Sequence, residues 1–391
     1  MLNRRILRIK AMQALYSFYT TRESLVEVMR DGLKEKFTPH PLTHDMSDTE
    51  EIDGHRKLAL RLYDDHLKDR KIQPDESIPA VVFDETTGAI DAYYKEVKSE
   101  VSRTKKSMLD AAHKLQQDYL HFLMLPGEFQ FIEKQDQEKK QLAYVPKNEV
   151  WHYNLQVNPV IDAINSNEAL QRAITAHSLS WQAHNAMLKE WYRTILKTDE
   201  GFIAYQKIKQ PSPKEHLDLL THLFKKILFR NDLMLSFWEQ EDLRWAENHS
   251  ILKSMVVKTL QDYNPELQEP IDLKSISINE ADDFEFFETI FDGAIKEDSY
   301  FEELIGQHAK NWDISRLAMI DRIILKLALA EMMTCRSIPV KVTINEFIEI
   351  CKLYSTPKSK QFVNGILDVL ANQLTSEGII KKTGRGLIDN K

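Results

Sequence analysis

The first twenty residues combine an apolar pattern with a basic start. The pattern predicts a helix over residues 3–20 that is apolar or small on almost every side beyond Lys10, which is typical of a helix buried on most sides. At about 100° per residue, Arg4, Arg5 and Arg8 fall within one arc of its first turns. We therefore predict a buried central helix whose basic tip reaches solvent.

The last third of the chain has the most regular helical spacing. Apolar positions predict amphipathic helices over residues 282–297 and 298–309, and a third helix that begins at or near Asp313. Along one face of the third helix lie Ile314, Leu317, Ile320, Ile324, Leu327 and Ala328.

Two cap signatures divide the sequence after that helix. Thr343 and Glu346 have the spacing of a capping box, which predicts the start of the next helix. Thr356 followed by Pro357 predicts an N-cap and the first position of a last helix that runs to about Leu374. The tail beyond it is basic and contains glycine, so we expect it to be loose.

The middle of the chain alternates helical stretches with breaks. Ser212 and Glu215 stand three apart before an apolar-periodic run, which predicts a capping box and a helix there. The other predicted elements are an exposed linker at 36–56, a short helix at 57–70, a weak strand at 78–83, a helix at 89–125 that ends before Pro126, a loop at 126–150, two helical stretches within 160–209, a helix at about 240–263 and a linker at 264–280.

Composition is that of a soluble, helix-rich globular protein. Glycine and proline are sparse, at 11 and 13 of 391 residues, which favours long helices over turn-rich β architecture. No apolar run is long enough to predict a membrane span, and the charged N-terminus lacks a secretory apolar core. Two cysteines, Cys335 and Cys351, fit a reducing cytoplasm better than a disulfide framework.

Charge is distributed unevenly along the chain. The whole chain has a net charge of −8, yet residues 1–10 carry four basic and no acidic side chains. Residues 316–391 carry twelve basic and seven acidic side chains, so the remainder has a net charge of −17. Since RNA affinity depends on local positive charge, the two basic ends are candidates for RNA binding and the acidic middle is not.

Motifs for catalysis or metal binding are missing from the sequence. It contains no glycine-rich phosphate loop, no nucleophile elbow and no H-E-x-x-H pattern. His40 and His44 stand four apart, but the prolines around His40 predict a loop rather than a helix that could present both to a metal. Cys335 and Cys351 have no partner cysteine or histidine nearby. We therefore predict neither an enzyme nor a metal or cofactor site.

Basic and aromatic residues at the two ends favour RNA binding. Arginines at a helix N-terminus oppose the helix dipole at about 0.3–1 kcal/mol each, which favours a functional role for Arg4, Arg5 and Arg8. Tyr354 and Phe362 flank a predicted helix–helix elbow that also contains Lys352, Lys358 and Lys360. Such interleaving suits the stacking of unpaired bases, although aromatic residues at helical spacing also suit a protein core.

Four stretches of the sequence resemble NusB transcription antitermination proteins. The opening RRILRIKAMQALYSFY (4–19) matches an arginine-rich turn followed by A-x-Q-A-L-Y. Later, RLAMIDRIILKLALAEM (316–332), IPVKVTINEFIEICKLYS (338–355) and SKQFVNGILDVL (359–370) follow in the family's order. The likeness covers residues 1–20 and about 283–374. The long segment between them resembles the insertion-containing versions of the Bacteroidetes lineage.

The resemblance implies an all-α fold of two packed helical bundles, here with a large helical insertion. It also implies binding to the boxA element of ribosomal RNA leaders jointly with the ribosomal protein NusE, in a complex that joins RNA polymerase and suppresses termination. Glu331 matches an acidic residue expected near the NusE contact, and Lys326 stands where the family often has arginine. The residues implied for RNA binding are Arg4, Arg5, Arg8, Gln13, Tyr16, Lys326, Tyr354 and Phe362.

Two other functions compete with this interpretation. The NusB fold also precedes the catalytic domain of ribosomal RNA cytosine methyltransferases, but only about twenty residues follow the last predicted helix here. A helical scaffold, whose insertion docks protein partners while RNA binding is secondary, stays open. The predicted divisions are 1–30 (first part of a NusB-like core), 31–281 (acidic helical insertion), 282–375 (second part of the core) and 376–391 (basic tail).

Overall fold

Helices account for every regular element in the part of the chain that the computed structural model describes, namely residues 4–39, 46–68, 77–142, 150–242, 244–267, 269–277, 279–308 and 317–388. The all-α prediction is confirmed. The α-helices are α1 (Arg4–Lys36), α2 (Met46–His66), α3 (Ala80–Leu142), α4 (Pro159–Asn165), α5 (Glu168–His177), α6 (Asn185–Trp191), α7 (Glu200–Gln206), α8 (Pro213–His222), α9 (Asp232–Glu241), α10 (Trp245–Gln261), α11 (Glu280–Lys296), α12 (Asp298–His308), α13 (Met319–Thr334), α14 (Val340–Tyr354) and α15 (Pro357–Ser376). Turns of 3₁₀ helix lie at Asn154–Val157, Gln182–His184 and Gly384–Leu387, and π-helical turns extend α6 over Tyr192–Leu196 and α8 over Leu223–Leu228.

The chain divides into two compact units. Unit 1 comprises Asp110–Glu280, and unit 2 comprises Arg4–Leu109 together with Ala281–Lys391. One division falls inside α3 and the other at the start of α11. Residues 31–109, predicted to belong to the insertion, therefore group with the two ends of the chain.

Helix α13 forms the centre of unit 2. It packs against α1, α12, α14 and α15, and every residue from Ile323 to Met332 is buried. Its sequence is apolar on all sides, which is the pattern of a helix surrounded by protein. Lys326 and Glu331 are the charged residues within this buried run, so each requires a partner. The predicted helices at 282–297 and 298–309 are present as α11 and α12, whereas the predicted start near Asp313 lies outside the described residues.

A second apolar cluster in unit 2 joins the far half of α1 to α2 and the start of α3. Leu33, Ala59, Tyr63, Val82 and Ile90 are buried in it, with partly buried apolar residues around them. Each of these helices alone is amphipathic and buries one stripe against its neighbours. The N-terminal helix thus continues well beyond its predicted end at residue 20 because it serves two cores in succession.

Unit 1 has a core rich in aromatic rings. Phe122, Phe229, Trp238 and Trp245 lie nearly parallel, with interplanar angles of 7–23° and ring centroids 4.3–6.3 Å apart. Such offset stacks contribute about 0.5–1.5 kcal/mol per pair beyond the area they bury. Residues 160–209 contain four α-helices rather than the predicted two, because short helices are joined by turns without a long polar break.

Helix α3 overturns two local predictions. Residues 78–83, predicted as a strand, instead enter α3, since only Val82 of its first turn faces the core. The predicted stop at Pro126 is also wrong, because α3 continues through it to Leu142. A proline inside a helix costs about 3 kcal/mol, but Phe122 and Phe129 on either side are buried, so tertiary packing outweighs that cost.

Two of the three predicted caps are confirmed. The Ser212–Glu215 capping box is present in both directions, and Thr356 caps α15 by accepting a hydrogen bond from the Ser359 backbone N–H. The capping box at Thr343 is wrong. Helix α14 begins three residues earlier at Val340, directly after a proline, and Thr343 lies buried within it.

Two further predictions concern segments expected to lack structure. The linker at 36–56 is wrong from Met46 onwards, where α2 begins, and His40 and His44 lie outside the described residues. The tail is not loose as far as it is described, because backbone hydrogen bonds and a 3₁₀ turn hold residues 379–388. Among the described helices, none is long and apolar enough to cross a bilayer.

Candidate nucleic-acid interface

A buried ion pair fixes the start of α1 to the centre of unit 2. Arg8 donates through Nε and Nη2 to the two carboxylate oxygens of Glu331, at 2.6 and 2.7 Å. Thr343 donates its hydroxyl to the same carboxylate at 2.7 Å. Arg8 is 3% exposed and Glu331 is 0% exposed. The prediction that Arg8 forms part of a solvent-exposed tip is therefore wrong, because its charge is engaged inside the core.

Arg5 lies one turn closer to the N-terminus and is held on the surface. Its Nε and Nη2 atoms donate to Glu346 of α14, both at 2.7 Å, while 46% of its side chain stays exposed. The hydrogen bonds from Arg5 are the main reason that the pKa of Glu346 lies below its usual value. Glu346 also approaches Arg8 at 3.6 Å. This carboxylate therefore fixes the guanidinium plane of Arg5 and leaves the outer edge of that group to solvent.

Arg4 is exposed and rests against an aromatic ring. Its guanidinium carbon lies 4.9 Å from the centroid of Phe286 on α11, and that of Arg8 lies 5.5 Å from the same centroid. A cation over a ring gains about 0.5–1 kcal/mol at an exposed site. The ring thus positions Arg4 without neutralising its charge.

The other end of α14 carries more positive charge. The pKa of Glu349 is lowered chiefly by its hydrogen bond with Lys352, and also by the nearby charges of Arg5 and Lys360. Three cations therefore surround one exposed carboxylate. Tyr354 follows on the last turn of α14 and is half-buried. Cations and a partly exposed aromatic ring thus lie at the same end of α14, and recognition of single-stranded RNA uses both kinds of side chain.

Helix α1 carries further polar residues at exposed or half-exposed positions beyond Arg5. Tyr16 is 48% exposed and Gln13 is half-buried. Eleven residues separate Tyr16 from Arg5, and at 3.6 residues per turn they lie within about 20° of each other around the helix. We call the exposed and half-exposed set the α1–α14 surface: Arg4, Arg5, Gln13, Tyr16, Lys352, Tyr354 and Lys360.

Besides Arg8, three of the residues predicted for RNA or partner binding are buried. Phe362 is 7% exposed and belongs to the core side of α15. Lys326 is 2% exposed, pairs with Asp298 and with Glu302 at 2.5 Å, and lies over the ring of Tyr19. Glu331 is buried as described above. Phe362 is therefore a core residue, which was the alternative to base stacking left open by the sequence. Lys326 and Glu331 form ion pairs inside unit 2.

Sequence reasoning missed the carboxylates that organise the arginines. Glu346 was interpreted as half of a capping box, and Glu331 as a partner contact, whereas both bind arginines of α1. A signal was present, since a charged residue in an otherwise apolar helix needs an opposite charge in the fold. The partner could not be identified, because more than 320 residues separate Arg8 from Glu331. Within the described ranges, no group of acidic, histidine and cysteine side chains is arranged to hold a metal ion.

Comparison with known proteins gives a consistent set of relatives. The model of the NusB family matches residues 250–372. The chain is 46% identical over 109 residues to the transcription antitermination protein NusB of Chloroherpeton thalassium. The aligned region covers 28% of this chain and 51% of that protein. It is 44% identical over 104 residues to the same protein of Salinibacter ruber, covering 27% and 65%. It is 37% identical over 101 residues to that of Bacillus pumilus, covering 26% and 77%.

The matches are partial in both directions. The chain spans about half to two thirds of the length of the first two relatives. A solved structure of T. maritima NusB is 28% identical and covers 42% of this chain and 94% of its own, with a TM-score of 0.23.

Proposed function

Because this chain belongs to the NusB family, we propose that it is an RNA-binding transcription antitermination factor that acts on ribosomal RNA operons. It binds the single-stranded boxA element together with the ribosomal protein NusE, and the assembly joins the RNA polymerase antitermination complex. The relatives named above support antitermination as the general role. We propose no catalytic step and no cofactor for this activity.

The observation that carries the proposal is the clamped arginine at the α1–α14 surface. Arg5 is fixed bidentately by Glu346 yet remains about half exposed, so its outer N–H groups are oriented before RNA arrives. Preorganised guanidinium groups suit phosphate oxygens, and they lose little entropy on binding. Tyr354, with Lys352 and Lys360 nearby, supplies a face on which an unpaired base stacks.

The predicted site residues take two roles in this proposal. Arg4, Arg5, Gln13, Tyr16 and Tyr354 contact RNA directly. The buried residues Arg8, Lys326 and Phe362 position those helices from beneath. Glu331 likewise acts on NusE only through the placement of α1 and α14, because its carboxylate already accepts three hydrogen bonds.

Binding of boxA-type RNA by variants tests the proposal. We expect the double variant Arg4→Gln, Arg5→Gln to weaken binding at least about tenfold, since each charge-assisted contact contributes about 1 kcal/mol or more. The slope of log affinity against log salt concentration should become shallower by about 1.4, because each of the two lost phosphate contacts contributes about 0.7. A matched control replaces the exposed cations Lys225, Lys226 and Arg230 of unit 1 by glutamine. Equal binding by the arginine variant and the wild type would refute this surface as the RNA site.

A further inference from the structure

The segment after α15 is attached to unit 2 by a defined turn. The N–H of Ile379 donates to the carbonyl of Leu374 at 2.9 Å, and the N–H of Gly378 donates to that of Thr375 at 3.0 Å. Gly378 has φ +70°, so these bonds form a Schellman motif in which glycine takes the left-handed position. Ile380 is then buried. The chain therefore leaves α15 in a fixed direction.

The same segment is clasped to the turn between α13 and α14. The Lys382 ammonium donates to the carbonyl of Cys335 at 2.9 Å, and the Thr383 N–H donates to that of Arg336 at 3.0 Å. A Cβ at Gly386 would lie under 3.0 Å from the Arg336 carbonyl oxygen, closer than real Cβ atoms approach. Glycine is thus required here for close packing of two backbones.

Docking of this segment gathers exposed cations on one side of unit 2. Arg336, Lys381 and Arg385 are all exposed, and within the described part of the chain none of them forms an ion pair with a carboxylate. Burial raises the pKa of the neighbouring Cys335 thiol, while the nearby positive charges of Lys382 and Arg4 oppose that rise. Arg4 therefore lies on the same side as these cations. We call Arg336, Lys381 and Arg385 the tail patch.

We propose that the tail patch is a second RNA-binding site, which takes the phosphates of nucleotides that flank the element held at the α1–α14 surface. The proposal rests on the proposed function and extends it. The patch offers cations and exposed aliphatic side chains, such as Leu387 and Ile388, but no exposed aromatic ring within residues 379–388. It is therefore suited to phosphates rather than to bases, and its contribution is independent of sequence.

The tail patch and Tyr354 lie at opposite ends of α14. The tail patch adjoins the turn before Val340, whereas Tyr354 lies on the last turn, and fifteen residues at 1.5 Å each separate the ends by about 22 Å. Arg4 and Arg5 lie between these ends, on α1. Arg4 is the member of the α1–α14 surface on the side of the tail patch. We therefore expect a short RNA bound between Arg5 and Tyr354 to leave the patch free, and an RNA extended past Arg4 to reach it.

The test measures affinities for a short boxA-type RNA and for the same RNA extended by unstructured sequence on its 5′ or its 3′ side. Three proteins are compared with the wild type: the triple variant Arg336→Gln, Lys381→Gln, Arg385→Gln; the variant Gly386→Val, which keeps every charge but forces the segment off the turn; and the unit 1 control Lys225→Gln, Lys226→Gln, Arg230→Gln. Circular dichroism and thermal unfolding establish that each is folded.

We expect extension on one side to tighten binding to the wild type and to the unit 1 control. Both tail variants should lose that gain in affinity. The loss should be about tenfold at about 0.1 M salt, because each of the three exposed charge pairs contributes roughly a factor of two. The salt slope for the triple variant should become shallower by about 2. Affinity for the short RNA should stay unchanged.

Three other outcomes would overturn the proposal in different ways. If the wild type binds the short RNA but the tail variants keep the full gain from extension, the tail patch is not an RNA site and the proposed function stands. If the wild type binds neither RNA, the proposed function fails and the tail patch fails with it. If the triple variant also loses affinity for the short RNA, the tail patch and the α1–α14 surface form one site, and the proposal of a second site is wrong.

Discussion

Replacing Arg8 by methionine separates a positioning role from RNA contact. The structure gives Arg8 two charge-assisted hydrogen bonds to a fully buried carboxylate, and only the Thr343 hydroxyl would remain on Glu331 after the change. Removing one partner of a buried pair costs about 3–5 kcal/mol, because the other charge is left without compensation. We therefore expect Arg8→Met to reduce the free energy of unfolding of unit 2 by that amount.

The double variant Arg8→Met, Glu331→Met provides the internal control. It removes both charges of this buried pair, and Thr343 retains the Pro339 carbonyl as an acceptor at 3.5 Å. Replacing a whole buried pair by apolar side chains is often neutral. We expect the double variant to recover most of the loss, with a coupling of about 2–3 kcal/mol between the two positions in the double-mutant cycle.

Urea unfolding monitored by two signals identifies which unit is affected. Trp312 belongs to the part of the chain in unit 2 and the other five tryptophans to unit 1. In a Trp312→Phe background the fluorescence therefore reports unit 1, whereas circular dichroism reports helices of both units. The dichroism transition should shift and the fluorescence transition should not. RNA affinity, measured where every variant is folded, should change by less than about fourfold. Unchanged stability together with loss of RNA binding would refute the buried-anchor role and restore Arg8 as a contact.

Three further predictions follow from single groups. Tyr354→Ala should weaken RNA binding by about 1–3 kcal/mol with little effect on stability, while Phe362→Ala should destabilise unit 2 by about 3–5 kcal/mol; the reverse pattern would exchange their roles. Burial raises the pKa of Glu133 in unit 1 to about 7, so the stability it contributes is full below its unfolded pKa and is lost as the pH rises through about 7. Fluorescence-monitored unfolding should therefore show a higher midpoint at about pH 5 than at about pH 8, and Glu133→Gln should remove much of that difference. Thr356→Ala should cost about 1 kcal/mol by removing the α15 N-cap, and an unchanged urea midpoint would contradict that role.

Local sequence signals predicted the parts of the fold that depend on neighbouring residues. The apolar spacing of α11 and α12 and the caps at Ser212 and Thr356 involve groups within a few residues of each other. The IPAVVF stretch and Pro126 were misinterpreted because packing against distant residues outweighs intrinsic propensity. Whether a Pro-Gly pair ends a helix depends on what surrounds it, and the rings around Phe122 lie more than a hundred residues away in the chain.

The sequence allowed several residues of the candidate site to be identified, but not how those residues are arranged in space. Arg4, Arg5 and Tyr354 were identified from residue type and position, and they lie on the surface of unit 2. Arg8 has the same residue type as Arg5 and lies within one turn of it, yet a 60° difference around the helix directs it inward, towards Glu331. The docking of the tail depends on backbone contacts at Gly386, which no pattern of side chains reveals.

Cross-linking of bound RNA shows which residues of the protein the unpaired bases contact. Ultraviolet irradiation of the complex with boxA-type RNA, followed by mass spectrometry of the linked peptides, identifies the aromatic side chains that stack on bases. We expect cross-links at Tyr354 and Tyr16, on the α1–α14 surface of unit 2. Cross-links confined to residues 110–280, with none in the peptides that contain these two tyrosines, would contradict this expectation.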